Sequence, residues 1–296
     1  MNTYQINLRL NSSFITPFYA DTIFGHLCWM VKYWEGDKEL GKFLEYFKKD
    51  QPPFIISDGF PEGYLPKPIS LEFNISDPLQ RKKIKKIQWV KISDFEKIRK
   101  GEGVSFLNEE NILLSKLHVY NVINRSTNTT LEGGVYAIPE IVIDRISIYL
   151  KTVNEEWKNE VVNLLKELSR IGYGRKKSIG KGQFCVESVQ EFNFPSLESA
   201  DGFVTLSNFC PKSTDPTEGI YRTFVKYGKL GEEFTFCGNP FKRPLLMIKT
   251  GSVFKTNGPP KEYYGRIIQE NISPVKSEVI HYAYAFSLPV SYPKNV

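Results

Sequence analysis

Residues 154–192 read NEEWKNEVVNLLKELSRIGYGRKKSIGKGQFCVESVQEF. Trp157, Val161, Leu164, Leu165, Leu168 and Ile171 recur at i, i+3 and i+4, the spacing of one apolar helix face. Asn154 is an N-cap residue type, and Gly172 supplies a left-handed stop at the other end. Gln183–Phe192 then reads as a strand. Between helix and strand, Gly172, Gly174, Gly180 and Gly182 are spaced among Arg175, Lys176, Lys177, Ser178 and Lys181. The stretch therefore predicts a helix, a flexible basic loop and a strand, in that order.

Working outward, Tyr4–Leu10 alternates polar and apolar residues, as a strand with one buried face does. Asp21–Trp34 has a wide apolar helical face, with Asp21 a candidate N-cap. A second short helix, KELGKFLEYFKK, ends before the prolines of Gln51–Pro68, which read as an ordered connection crossing the surface. Residues 70–112 are highly charged and read as an insertion with one amphipathic helix at Ser93–Lys100. Lys116–Glu140 predicts two strands around a polar tip at Asn124–Gly134, an extended hairpin or thumb, and Ile141–Leu150 a further strand. The order β-α-(insertion)-β-β-α-β is the ferredoxin-like, or RRM-like, α+β pattern. We expect that domain to span 1–195. A β-rich, smaller and degenerate ferredoxin-like domain is expected over 196–296, beyond a linker at Asn193–Gly202.

The 296 residues carry a formal net charge of +6. Segment 81–100 has nine Lys/Arg against two Asp/Glu, a net +7, and segment 166–181 six against one, a net +5. These sum to +12, so the other 260 residues sum to −6. Concentrated positive charge suits a surface that meets a polyanion, although solvated basic faces read the same way. Four scattered cysteines and three scattered histidines show no metal-ligand spacing, so no metal or cofactor is expected, and the thiols read as free and mostly buried. No signal-peptide core and no membrane-length apolar run is present, which makes the cytoplasm the expected compartment.

The glycine loop is not a phosphate-binding loop of an ATPase. That motif needs G-x-x-x-x-G-K-[ST] after a strand and before a helix. Here five residues separate Gly174 from Gly180, Lys181 is followed by Gly182, and the loop follows a helix. A Rossmann fingerprint fails for the same reason. What remains is a loop rich in accessible amides and cations, the makings of an RNA or phosphate contact.

Three further stretches give a resemblance. TPFYADTIFGHLCW (Thr16–Trp29), the proline-bearing connection PPFIISDGFPEGYLPKP and HVYNVINRSTNTTLEGGVYA (His118–Ala137) occur in the order seen in the fourth-subunit family of the type III-A CRISPR Csm effector complex. That family belongs to the RAMP superfamily. The resemblance covers the first two-thirds of the chain. It implies a non-catalytic subunit that binds CRISPR RNA by its 5′ repeat-derived handle in antiviral defence. The implied partners are the large polymerase-like subunit and the adjacent RAMP backbone subunit. It also implies that Gly172 to Gly182 lies on the handle, with His118, Asn124, Arg125 and Thr127 meeting RNA at the handle–guide junction. Each residue has a plainer reading: His118 as a strand residue, Asn124 and Arg125 as turn formers, Phe18 and Tyr19 as core staples rather than base-stacking rings.

Two other readings compete. Metal-independent CRISPR RNA-processing endoribonucleases share this fold and loop, and such chemistry needs a general acid and base. His26 and His118, the latter beside Lys116 and Tyr120, are the candidates. Alternatively, the protein is purely architectural and its basic patches meet an acidic partner.

Overall fold

The computed structural model describes residues 1–72, 77–102, 112–197 and 199–293. The chain opens with β1 (Asn2–Leu10), α1 (Ala20–Glu35), α2 (Asp37–Lys48) and β2 (Phe54–Pro61). A short pair, β3 (Tyr64–Pro66) and β4 (Trp89–Lys91), brackets α3 (Pro78–Lys86) and leads into α4 (Ile92–Arg99). The long hairpin β5 (Leu114–Asn124) and β6 (Thr129–Val142) follows, then β7 (Arg145–Thr152), α5 (Glu155–Ile171) and β8 (Phe184–Glu191). β1, β2, β7 and β8 form an antiparallel sheet in the order β2-β7-β1-β8.

α1 and α5 pack on one another and on this sheet. α5 forms as its spacing predicts. The Asn154 side chain accepts a hydrogen bond from the Trp157 amide at 3.0 Å, and Val161, Leu164, Leu165 and Leu168 go into the core. Each such aliphatic residue contributes about 1.5–3 kcal/mol on full burial. They meet Ile6, Leu8, Ile148 and Leu150, which are completely buried.

Four expectations need correction. The polar face of β1 is buried as well: Gln5 donates to Ser147 Oγ (3.0 Å), Ser147 donates to Asn7 Oδ1 (2.7 Å), and Asn7 donates to Ser188 Oγ (3.1 Å). Polar side chains are tolerated inside because they satisfy one another. Gln51–Pro68 does not cross the surface, since Phe54, Ile55, Ile56, Phe60 and Leu65 are fully buried and β2 is an edge strand of the sheet. A strand covered on both faces has no polar alternation to betray it. Ile141–Leu150 is not one strand, because β6 ends at Val142 and β7 starts at Arg145. Asp21 does not cap α1: the N-cap position is Tyr19, and the Ala20 amide donates instead to Asp58 Oδ1 at 2.8 Å.

The remaining strands are β9 (Gly202–Thr205), β10 (Gly219–Ile220), β11 (Thr223–Lys226), β12 (Leu245–Ile248), β13 (Val253–Lys255), β14 (Tyr263–Ile268) and β15 (His281–Val290). Five of them make an antiparallel sheet ordered β10-β13-β9-β15-β14, and β11 pairs with β12. The described residues of 199–293 include no α-helix, and this second sheet packs on α1 and β2 through β15. Tyr282 stacks on Phe24 (ring centroids 4.8 Å apart), and its hydroxyl accepts from the Ile56 amide at 3.0 Å, so one core cluster runs through both sheets. Within the expected insertion 70–112, α4 lies where the one helix is expected, but α3 is a second helix that the charge-rich, weakly apolar stretch gave no period to reveal; 73–76 and 103–111 fall outside the described residues. Among the described residues no helix is long and apolar enough to cross a membrane.

Candidate nucleic-acid interface

The loop after α5 is held as a clasp. Gly172, Gly174, Gly180 and Gly182 all have positive φ, and so does Lys176 (66°). The Tyr173 amide donates to Gly182 O (2.9 Å) and the Gly182 amide to Ser13 O (2.9 Å). Tyr173 is buried, stacks on Phe18 at 4.0 Å between centroids, and donates its hydroxyl to Pro17 O (2.8 Å). Phe18 therefore serves the core. The Gly174 amide donates to His26 Nε2 (3.2 Å) and the Arg175 amide to Thr16 Oγ1 (3.0 Å). Residues 12–18 thus provide the floor on which the loop rests.

Three of the loop's four cations are engaged. Lys176 donates to the Tyr136 hydroxyl (2.8 Å) and lies 5.3 Å from the ring centroids of both Tyr120 and Tyr136, a cation–π arrangement. Lys177 pairs with Glu232. Lys181 pairs with Glu140 at 2.8 Å and reaches Ser13 Oγ at 3.0 Å. Arg175, Ser178 and Gly180 are exposed. The guanidinium of Arg175 makes no ion pair or hydrogen bond among the described residues, which leaves it the readiest cation for an incoming phosphate.

Glu140 is the buried anion that ties the loop to the hairpin. Burial pushes its pKa up, but donors from Lys181, Ser13 and Tyr120 outweigh it and hold the carboxyl at about 2. A depressed carboxylate adds stability in full above its ordinary value of 4.5, and loses it as the pH falls toward 2. Glu140→Gln should therefore cost about 1.5–3 kcal/mol at neutral pH, the worth of charge-assisted hydrogen bonds. The gap between wild type and variant should close between pH 4.5 and 2 in urea titrations at stepped pH. A gap that stays constant across that window would assign the loss to shape rather than charge.

The hairpin brings some predicted residues to the loop and holds others away. His118 is exposed and lies beside Tyr120, ring centroids 4.8 Å apart, on the ribbon face that also carries Tyr136 and Glu140. Asn124, Arg125 and Thr127 are at the tip. The Asn124 side chain accepts from the Ser126 amide (3.0 Å), and Thr127 shares a hydroxyl contact with Thr129 (2.8 Å). Four residues or more of ribbon separate Asn124 from Tyr120, so at ~3.3 Å per residue the tip stands roughly 13 Å beyond the loop contact. The turn is also tighter than the expected Asn124–Gly134, because β6 already begins at Thr129. Gly133 (φ +69°) and its neighbours instead form a bulge opposite the register shift between Asn121 and Ile123.

His26 accepts from the loop backbone, and burial first, then Lys177, lowers its pKa to about 4, leaving a neutral imidazole at pH 7. Ser13, Thr16, Tyr136, Glu140 and Glu232 are not evident from the sequence, because each acts through a contact made only in the fold. Among the described residues no three His, Cys, Asp or Glu side chains cluster to hold a metal ion. All four cysteines are free, and none is exposed, as expected.

No protein-family model and no curated protein matches the chain. Solved structures do. Csm4 from a crystal structure of a Csm1-Csm4 cassette in complex with cA4 is 19% identical, with a TM-score of 0.66 over 98% of this chain and 99% of that one. Csm4 from the cassette in complex with pppApA gives 19% identity and a TM-score of 0.64 over 99% and 100%. Csm4 from a Csm3-Csm4 subcomplex of the type III-A CRISPR-Cas interference complex gives 16%, again 0.64, over 99% and 100%. The likeness is one of fold, and it runs from end to end. The resemblance read from three sequence stretches thus extends to the architecture of the whole chain.

Proposed function

We propose, from the premise that this chain is built as the Csm4 subunits are, that it is a non-catalytic RNA-binding subunit of a type III-A CRISPR effector complex. Its β2-β7-β1-β8 sheet with α1 and α5 serves as a ferredoxin-like RAMP frame, and the second sheet as a degenerate companion. The clasped loop holds the 5′ repeat-derived handle of the CRISPR RNA, with the exposed Arg175 and Ser178 toward the phosphates. The hairpin, from His118 to Asn124, Arg125 and Thr127 at its tip, meets the RNA where handle gives way to guide. The protein joins the large subunit to the backbone subunit. The observation that carries this reading is the near-complete structural match, 98% of this chain on 99% of the other.

The test uses two 5′-labelled RNAs, one with a repeat-derived handle and one with it scrambled, run without metal on native and denaturing gels. The expected result is a handle-dependent shift with intact RNA. Arg175, Lys176 and Lys177 changed together to Ala should weaken binding about tenfold and flatten the salt dependence by roughly two phosphates, at ~0.7 in log–log slope per phosphate on a single strand. Unaltered affinity in that variant would remove the loop from the site. The enzyme reading is supported by one feature, the buried His26 Nδ1 with no hydrogen-bond partner. A defined cut that vanishes in His26→Ala or His118→Ala would make this a processing nuclease instead.

A further inference from the structure

The basic segment 81–100 takes no part in the interface described above, and its first six residues belong to α3. No residue of this helix is buried. At 100° per residue, Lys85, Lys82, Lys86 and Lys83 fan over an arc of roughly 160°, opposite Ile84, which packs against the core. All four lysines are exposed, and none has an ion-pair partner among the described residues. Like charges at i, i+3 and i+4 (Lys82 with Lys85 and Lys86, Lys83 with Lys86) oppose helix formation. A nine-residue helix with no buried side chain has little to offset that.

The helix is nonetheless firmly tied down. Asp77 caps its start, accepting from the Leu79 amide at 2.9 Å, with Pro78 in the first turn. The buried ammonium of Lys67 sits at its other end, donating to Ile84 O (2.6 Å) and to Glu72 Oε1 (2.8 Å). Arg222 holds the second oxygen of Glu72 at 2.5 Å. A buried Lys67–Glu72 ion pair, joined from the surface by Arg222, thus anchors a helix whose outer surface only repels itself. Presentation of charge explains this arrangement where helix stability does not.

We infer that α3 is a second nucleic-acid contact, a sequence-indifferent phosphate-binding helix separate from the handle site. Four lysines within about 6 Å of helix axis match two or three successive phosphates of a single strand. Lysine ammonium groups on long stems read charge and not base identity. Leu79 is the one large apolar side chain exposed on the helix, which is too little for the apolar centre of a protein interface. The partner is therefore an RNA or DNA backbone and not an acidic protein.

The experiment measures binding of the full chain to a labelled 30-nucleotide oligouridylate, which carries no handle, across a salt series. Lys82, Lys83, Lys85 and Lys86 are changed together to Gln, which keeps helix propensity. The expected result is an affinity loss of about tenfold or more and a log–log salt slope lower by roughly 1.5–2. The same variant should keep its preference for handle over scrambled handle, so failure here is distinguishable from failure of the handle reading. Equal affinity and slope in wild type and variant would overturn the inference, and so would a wild type that does not bind oligouridylate at low salt. Loss of binding to polyglutamate but not to oligouridylate would turn α3 into a protein-docking surface and overturn it too.

Discussion

Lys226→Met is expected to destabilise the protein by about 3–5 kcal/mol, the usual result of removing one partner from a buried ion pair. The Lys226 ammonium lies 2.8 Å from Asp21 Oδ2, on a carboxylate only 5% exposed, and 4.6 Å from the Tyr19 ring centroid. Burial opposes the charge on Asp21, yet Lys226 outweighs it and lowers its pKa, so the carboxylate is ionised at neutral pH. His281 Nε2 is 3.6 Å away, and burial keeps that imidazole neutral, so it cannot replace the lost ammonium. The pair links the first turn of α1 to β11 and hence the helical layer to the second half of the chain. Asp21→Asn alone should also destabilise. The double variant should recover much of the loss, because two neutral groups leave no buried charge uncompensated. Urea unfolding of the four proteins measures the cycle. Strictly additive losses, or a Lys226→Met loss under 1 kcal/mol, would mean that water reaches the pair.

The same aspartate shows where sequence reasoning stops. Asp21 has the residue type and position of an N-cap, and nothing local contradicts that reading. Its partner is 205 positions away, and Asp58, from the strand hidden among prolines, takes over the capping. α5 was legible end to end, since an amphipathic helix writes its burial into a 3.6-residue period and its cap into one side chain. β2 was not, since Phe54, Ile55 and Ile56 make a short apolar run that suits a doubly buried strand or a packed loop equally well.

At the loop, residue types revealed the chemistry but not the balance of charge. Glycines with positive φ and clustered cations are visible in one dimension. The neutralisation of Lys177 by Glu232 and of Lys181 by Glu140 is not, because those carboxylates come from other elements. The practical consequence is that the loop's four cations overstate its free charge. Arg175 carries most of it.

Gly182→Ala should be the most damaging single change in the loop, costing about 3 kcal/mol or more and abolishing handle preference. A Cβ there would lie 2.0 Å from the Tyr173 carbonyl oxygen and 3.0 Å from its carbon, both backbone atoms that no rotamer change can move. The φ of +66° adds the left-handed penalty of about 1–2 kcal/mol for an L-residue. Relief requires breaking the Tyr173–Gly182 and Gly182–Ser13 hydrogen bonds, and with them the seat of Tyr173 on Phe18. Gly180 is the matched control. It has φ +84° but nothing within 4 Å of its would-be Cβ, so Gly180→Ala pays only the backbone strain, about 1–2 kcal/mol. Urea unfolding and handle-RNA binding of the two variants separate the causes. If Gly182→Ala is no worse than Gly180→Ala, the clasp is loose enough to shift by the width of a methyl group, and the proposed RNA contact cannot depend on the loop's closed shape.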